Sequence, residues 1–99
     1  MLTCKSGETF DIEDGILLSY SDTERKVVIP DEVIVIKEGL FRGNSNVESV
    51  VIPSGITRIG NGVFYNCVNL RSIKVPKHLS KYIDIAGINR KKLMLYWYN

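Results

Sequence analysis

Few residues in this 99-residue chain are of types that do chemistry, and they are scattered. His78 is the single histidine, and no serine, cysteine or acid stands around it in an order that builds a nucleophile, a base and an orienting group. Two residues after Pro76, it reads as a solvated turn residue. Cys4 and Cys67 lie far apart and match neither CxxC nor Cys/His ligand spacing, so they read as ordinary thiols, Cys67 packed and Cys4 exposed. Gly60 and Gly62 precede Val63-Phe64 without dinucleotide-fingerprint or P-loop spacing and read as turn glycines rather than a phosphate cradle. These residues point away from an enzyme, and no metal or cofactor is implied. The segment Arg90-Lys91-Lys92-Leu93-Met94-Leu95-Tyr96-Trp97-Tyr98 mixes basic and aromatic side chains, a composition shared by single-strand nucleic-acid platforms, membrane-surface segments and the aromatic ends of repeat stacks. The last of these is the preferred reading.

The elements that would position any surface chemistry come from a repeat. Pro30, Pro53 and Pro76 recur every 23 residues, each after a β-branched run: Val27-Val28-Ile29, Val50-Val51-Ile52 and Ile73-Lys74-Val75. The register extends further. Val33 aligns with Ile56 and Leu79, Ile36 with Ile59, Gly39 with Gly62, Phe41 with Phe64, Asn46 with Asn69, Val47 with Leu70 and Ser49 with Ser72. Each unit predicts a strand of alternating burial, a proline that removes a ladder donor and closes it, a second short extended piece, and a Gly-x-Phe segment that turns the chain back. Val50 and Ile52 should point inward, Ser49 and Val51 outward. Phe41 and Phe64 should stack as wedges between coils, and Asn46 and Asn69 should satisfy backbone groups between coils.

At these residues the chain resembles the BspA-like branch of leucine-rich repeats, whose units run roughly I-P-x-x-V-x-x-I-G-x-x-x-F-x-x-C-x-x-L-x-x-I-x-I-P. Ile52, Pro53, Ile56, Ile59, Gly60, Gly62, Phe64, Cys67, Asn69, Leu70, Ile73 and Val75 fall on that pattern. The preceding unit departs at Lys37 (usually glycine), Asn44 (usually cysteine) and Val47. The following one decays, with Gly87 at the phenylalanine position and no register kept after Ile85, so the resemblance covers about residues 10–85. Phe10 to Tyr20 resembles the family's opening hairpin, and Asp14-Gly15 is a hairpin turn in its own right.

The resulting expectation is a β-rich α/β solenoid, a short leucine-rich-repeat stack forming a single domain over 1–99: an N-terminal hairpin cap over 1–23, repeats over 24–76, and a partial repeat with an irregular C-terminal cap over 77–99. Tyr82, Ile83, Ile88, Leu93, Leu95, Tyr96 and Trp97 would close that second end. About three units are generally needed for a stable stack, so dimerisation or a longer parent chain would help this one.

Hydrophobic content of 44% with 24% charged residues suits a folded chain. The net charge of +2 conceals a segregation: residues 1–70 hold six basic and ten acidic side chains, whereas 71–99 hold seven basic ones against Asp84 alone. A solenoid turns sequence order into spatial order, so the stack should be electrically two-ended. The opening Met1-Leu2-Thr3-Cys4-Lys5 shows no apolar leader core, and the longest apolar run, Leu93 to Tyr98, is too short to span a bilayer.

The functional expectation is a non-catalytic protein-interaction module without cofactor. Its binding residues would be the outward column Val28, Val51 and Lys74 with the flanking Lys26, Ser49 and Ser72. The family resemblance implies a bacterial protein, often on cell surfaces and in adhesion. Two alternatives are polyanion or nucleic-acid binding through Lys74, Lys77, Lys81, Arg90, Lys91 and Lys92, and self-assembly, acidic end to basic end or tail to tail.

Overall fold

The computed structural model describes residues 10–21, 24–88 and 93–98. Among these residues eight short strands form two four-stranded sheets. The first sheet has the order β1 (Phe10–Glu13), β2 (Ile16–Tyr20), β4 (Val35–Ile36), β6 (Arg58–Ile59); the second has β3 (Lys26–Val28), β5 (Ser49–Val51), β7 (Ser72–Pro76), β8 (Met94–Tyr98). From β2 onward the chain alternates between sheets, one strand of each per coil. Helix among the described residues is limited to a 3₁₀ segment, Lys77–Tyr82, which takes the place of a first-sheet strand in the last coil.

The 23-residue period is the pairing register. In the second sheet Lys26, Val27 and Val28 lie opposite Ser49, Val50 and Val51, which lie opposite Ser72, Ile73 and Lys74, all parallel. In the first, Val35 and Ile36 lie opposite Arg58 and Ile59. Pro30 and Pro53 stand just beyond their strands, where the preceding Ile29 and Ile52 still donate to Val51 and Lys74 carbonyls. Pro76 is the last paired residue of β7.

Equivalent positions share one interior. Val33, Ile56 and Leu79 are fully buried, as are Val27, Val50 and Ile73, and no polar side chain among the described residues is buried with them. Each such aliphatic side chain removed from water contributes about 1.5–3 kcal/mol, so this column of β-branched residues is the main source of stability. Phe41 and Phe64 stack with ring centroids 5.6 Å apart and planes 3° from parallel. Two further rings join them: Tyr20 lies 5.3 Å from Phe41, and Phe10 lies 5.1 Å from Tyr20. The opening hairpin, turned by Asp14 and Gly15 at φ 53° and 80°, thus continues the same core. Its β2 pairs with β4 at a spacing of 19, Ile16 opposite Val35, which is why the period does not reveal it.

Among the described glycines, Gly60 is the one most tightly pressed against another coil. Its N–H donates to the Ile36 carbonyl at 2.9 Å, and a Cβ there would lie 2.4 Å from the Glu38 nitrogen. Lys37 is tolerated at the equivalent place because its N–H meets Leu17 in β2, which runs straight on to Tyr20 instead of turning across the coil above.

The C-terminal part corrects the expectation of an irregular end. Register survives to Ala86, whose carbonyl accepts from the Phe64 N–H as that of Val63 does from Phe41. Met94 to Tyr98 then form a regular strand paired with β7, with Ser72 opposite Met94, a spacing of 22. The spacing between Ala86 and Met94 is one residue short of the period, and the ladder accommodates it because backbone pairing is indifferent to side-chain type. Ile83 and Ile88 lie inside the core and Leu93 and Leu95 pack on it, whereas Tyr96 and Trp97 are exposed.

Candidate functional site

The alternation of strand side chains sorts the second sheet into a buried face and a free one. On the free face, register aligns the expected residues into two rows. One row is Lys26, Ser49 and Ser72, continued by Met94; the other is Val28, Val51 and Lys74, continued by Tyr96. All six expected residues therefore share one surface. Lys26, Val28 and Lys74 are exposed, and Ser49, Val51 and Ser72 are half-buried by their neighbours. Val28, Met94 and Tyr96 are 57%, 60% and 52% exposed, so apolar groups stand at both margins of the face, with serines, the half-buried Val51 and one lysine between them.

Met94, Tyr96 and Tyr98 are the surface residues that the 23-residue alignment misses. A shift of one position in β8 puts Leu95 and Trp97 where an unbroken period would place outward residues. Tyr98 ties this strand to the face: its hydroxyl donates to the Ile52 carbonyl, and the Lys74 ammonium lies 5.6 Å from its ring centre. Burial raises the Tyr98 pKa, and the nearby Asp31 carboxylate raises it further.

The other singled-out residues have structural partners. Asn69 Nδ2 donates to the Ser45 carbonyl of the coil before it at 2.7 Å, as expected. At Asn46 the coil before it reaches residues 22 and 23, outside the described residues; its backbone N–H is held at 2.9 Å by Asn44 Oδ1, which also accepts from Val47, so Asn44 organises this turn locally. Cys67 Sγ reaches the Phe41 carbonyl at 3.0 Å, and burial pushes the thiol above its ordinary range. His78 is exposed yet not simply solvated, because its Nε2 carries the proton donated to the Ile56 carbonyl at 2.7 Å. Lys74, Lys77 and Lys81 are exposed. Cys4 and Arg90 to Lys92 lie outside the described residues. No described helix is long and apolar enough to cross a membrane.

Parallel ladders at a fixed period, a buried aliphatic column and a free face of variable side chains define a solenoid of the leucine-rich-repeat class. Residues 11–86 match the family described as BspA type leucine rich repeat region (6 copies), and the chain belongs to it. A leucine-rich repeat protein from Bacteroides ovatus has a crystal structure similar to this fold, with a TM-score of 0.64 and 24% identity over 75% of this chain. The matching part is 18% of that protein, so this chain spans a small fraction of its length. No curated protein matches the chain.

Proposed function

We propose that the free face of the second sheet docks a protein partner, and that the chain acts as a non-catalytic interaction module, with adhesion at a bacterial surface as the setting that the family suggests. Repeats of this class are commonly protein-interaction modules. The observation that carries the reading is the alignment of Val28, Val51, Lys74 and Tyr96 in one row beside Lys26, Ser49, Ser72 and Met94. Such a row offers apolar anchors, Val28 beside Val51 at roughly 4.8 Å and Tyr96 beyond Lys74, on a rigid support, with small hydroxyls in the adjoining row that a partner can approach closely.

The test is capture of partners from the native source by the wild-type chain and by a Val28→Asp/Val51→Asp variant. Both substitutions lie on the free face, so the variant should keep its circular dichroism and melting temperature while losing the captured partner. Undiminished capture by a folded variant would place the docking surface elsewhere.

A further inference from the structure

Among the described residues three strands lie at the margins of their sheets without a further strand beside them: β1, β3 and β8. The far side of β6 is covered by the 3₁₀ segment. Open edges are ordinarily protected by charge, proline or a bulge. β8 has none of these: Met94-Leu95-Tyr96-Trp97-Tyr98 is uncharged and free of proline, and it pairs with β7 without a register shift. It also displays Met94, Tyr96 and Trp97, the last 38% exposed.

Charge selects what can pair with it. Arg71, Lys74 and Lys77, on and just beyond β7, are exposed. They stand one to two strand spacings of about 4.8 Å from the outer edge of β8, within or close to a screening length of about 8 Å. A second β8 would bring two such clusters together, and β3 carries Lys26, with Arg25 just before it, 4.0 Å from Glu48. β1 is the opposite case, an edge that carries charge and, between Asp11 and Ile12, a register shift against β2. Its Asp11 and Glu13, with Asp14 at the turn, are exposed carboxylates, and residues 10–21 contain no lysine or arginine. Phe10 and Ile12 face the core between them, so β1 presents an acidic edge of four residues to match an apolar, cation-flanked edge of five.

We infer that the partner of β8 is β1 of a second copy of this chain, added head to tail so that the second sheet of one molecule runs into the first sheet of the next. The strand order through the junction is β3-β5-β7-β8 followed by β1-β2-β4-β6 of the second copy. Because two different surfaces meet, the contact does not close at two copies, and association continues as concentration rises.

Sedimentation of the full chain at increasing concentration tests this, with wild type beside Asp11→Lys/Glu13→Lys and Met94→Asp/Tyr96→Asp. All four side chains are exposed, and thermal melts establish that each variant folds. Wild type should pass beyond the mass of two chains, each variant alone should stay a monomer, and an equimolar mixture of the variants should associate again because every junction then pairs opposite charges. A monomeric wild type, a wild type that stops at a dimer, association that survives in either variant, or a mixture that stays monomeric overturns the inference. Trp97, the single tryptophan, gives a reading without substitution: its emission should shift to the blue as the wild type is concentrated, and an emission maximum independent of concentration contradicts the junction.

Discussion

The middle coils and the last coil solve the same packing problem with different materials. Between β4 and β7, Phe41 and Phe64 lie one over the other, Gly60 lets one coil settle against the next, and every strand keeps the 23-residue register. In the last coil, Gly87 replaces the ring, a 3₁₀ turn replaces a strand, and the spacing to β8 is 22 instead of 23. Even so, β8 pairs with β7 along five positions. The two regions separate what the solenoid requires from what it tolerates. The backbone ladder accommodates a shorter spacing and a change of side chains, whereas the interior of the middle coils is filled by the stacked rings and closely approached at Gly60.

The contrast is broken most severely at Phe64. Phe64→Ala should cost about 3–5 kcal/mol, as ring deletions in well-packed cores do, measured by denaturant unfolding. Its place between Phe41 and the last coil leaves no neighbour able to fill the space.

Gly60→Ala comes next, at about 3 kcal/mol, because the added carbon would meet the backbone of Glu38 and the Ile36 carbonyl rather than a side chain that can move. Gly62→Ala is its control: φ is +67° there but the nearest atom to an added Cβ is Tyr65 Cβ at 3.9 Å, so only the left-handed strain of about 1 kcal/mol remains. Equal losses at the two glycines would mean that coil contact is not what selects glycine at position 60.

Tyr98→Phe sharpens the comparison at the last coil. It removes the hydroxyl donated to the Ile52 carbonyl and should cost about 1 kcal/mol by the same unfolding measurement. No loss would show that β8 is held by its ladder alone.

The smallest effect is with pH. Cys67 and Tyr98 both have pKa values raised by burial, so in the unfolded chain each loses its proton at a lower pH than in the folded one. Their contribution is complete below the ordinary thiol and phenol ranges and is lost as pH climbs through them toward the raised values. Melting temperature should therefore decline at alkaline pH, and Tyr98→Phe should flatten the part of the decline above the thiol range.

Much of this architecture was legible in the residues because identical burial duties recur at identical spacing. Val33, Ile56 and Leu79, the stacked Phe41 and Phe64, and the row Val28, Val51, Lys74 all follow from the 23-residue period. What escaped lies where spacing changes. Phe10 and Tyr20 complete the aromatic stack from a hairpin offset by 19, and Met94 and Tyr96 extend the free face from a strand offset by 22. In the period Asn44 is only a departure at a cysteine position, because its hydrogen-bonding to its own turn depends on local geometry that a period does not carry.

The most direct test of the continuous interior is native-state hydrogen exchange at the Phe41 and Phe64 amides, which donate across coils to the Val63 and Ala86 carbonyls, in wild type and in Phe64→Ala. One shared core requires both amides to lose protection together in the variant, because the coil of Phe41 is left without the ring packed against it. Loss confined to the Phe64 amide, with Phe41 protected as in wild type, would show that the coils are independent and contradict the account.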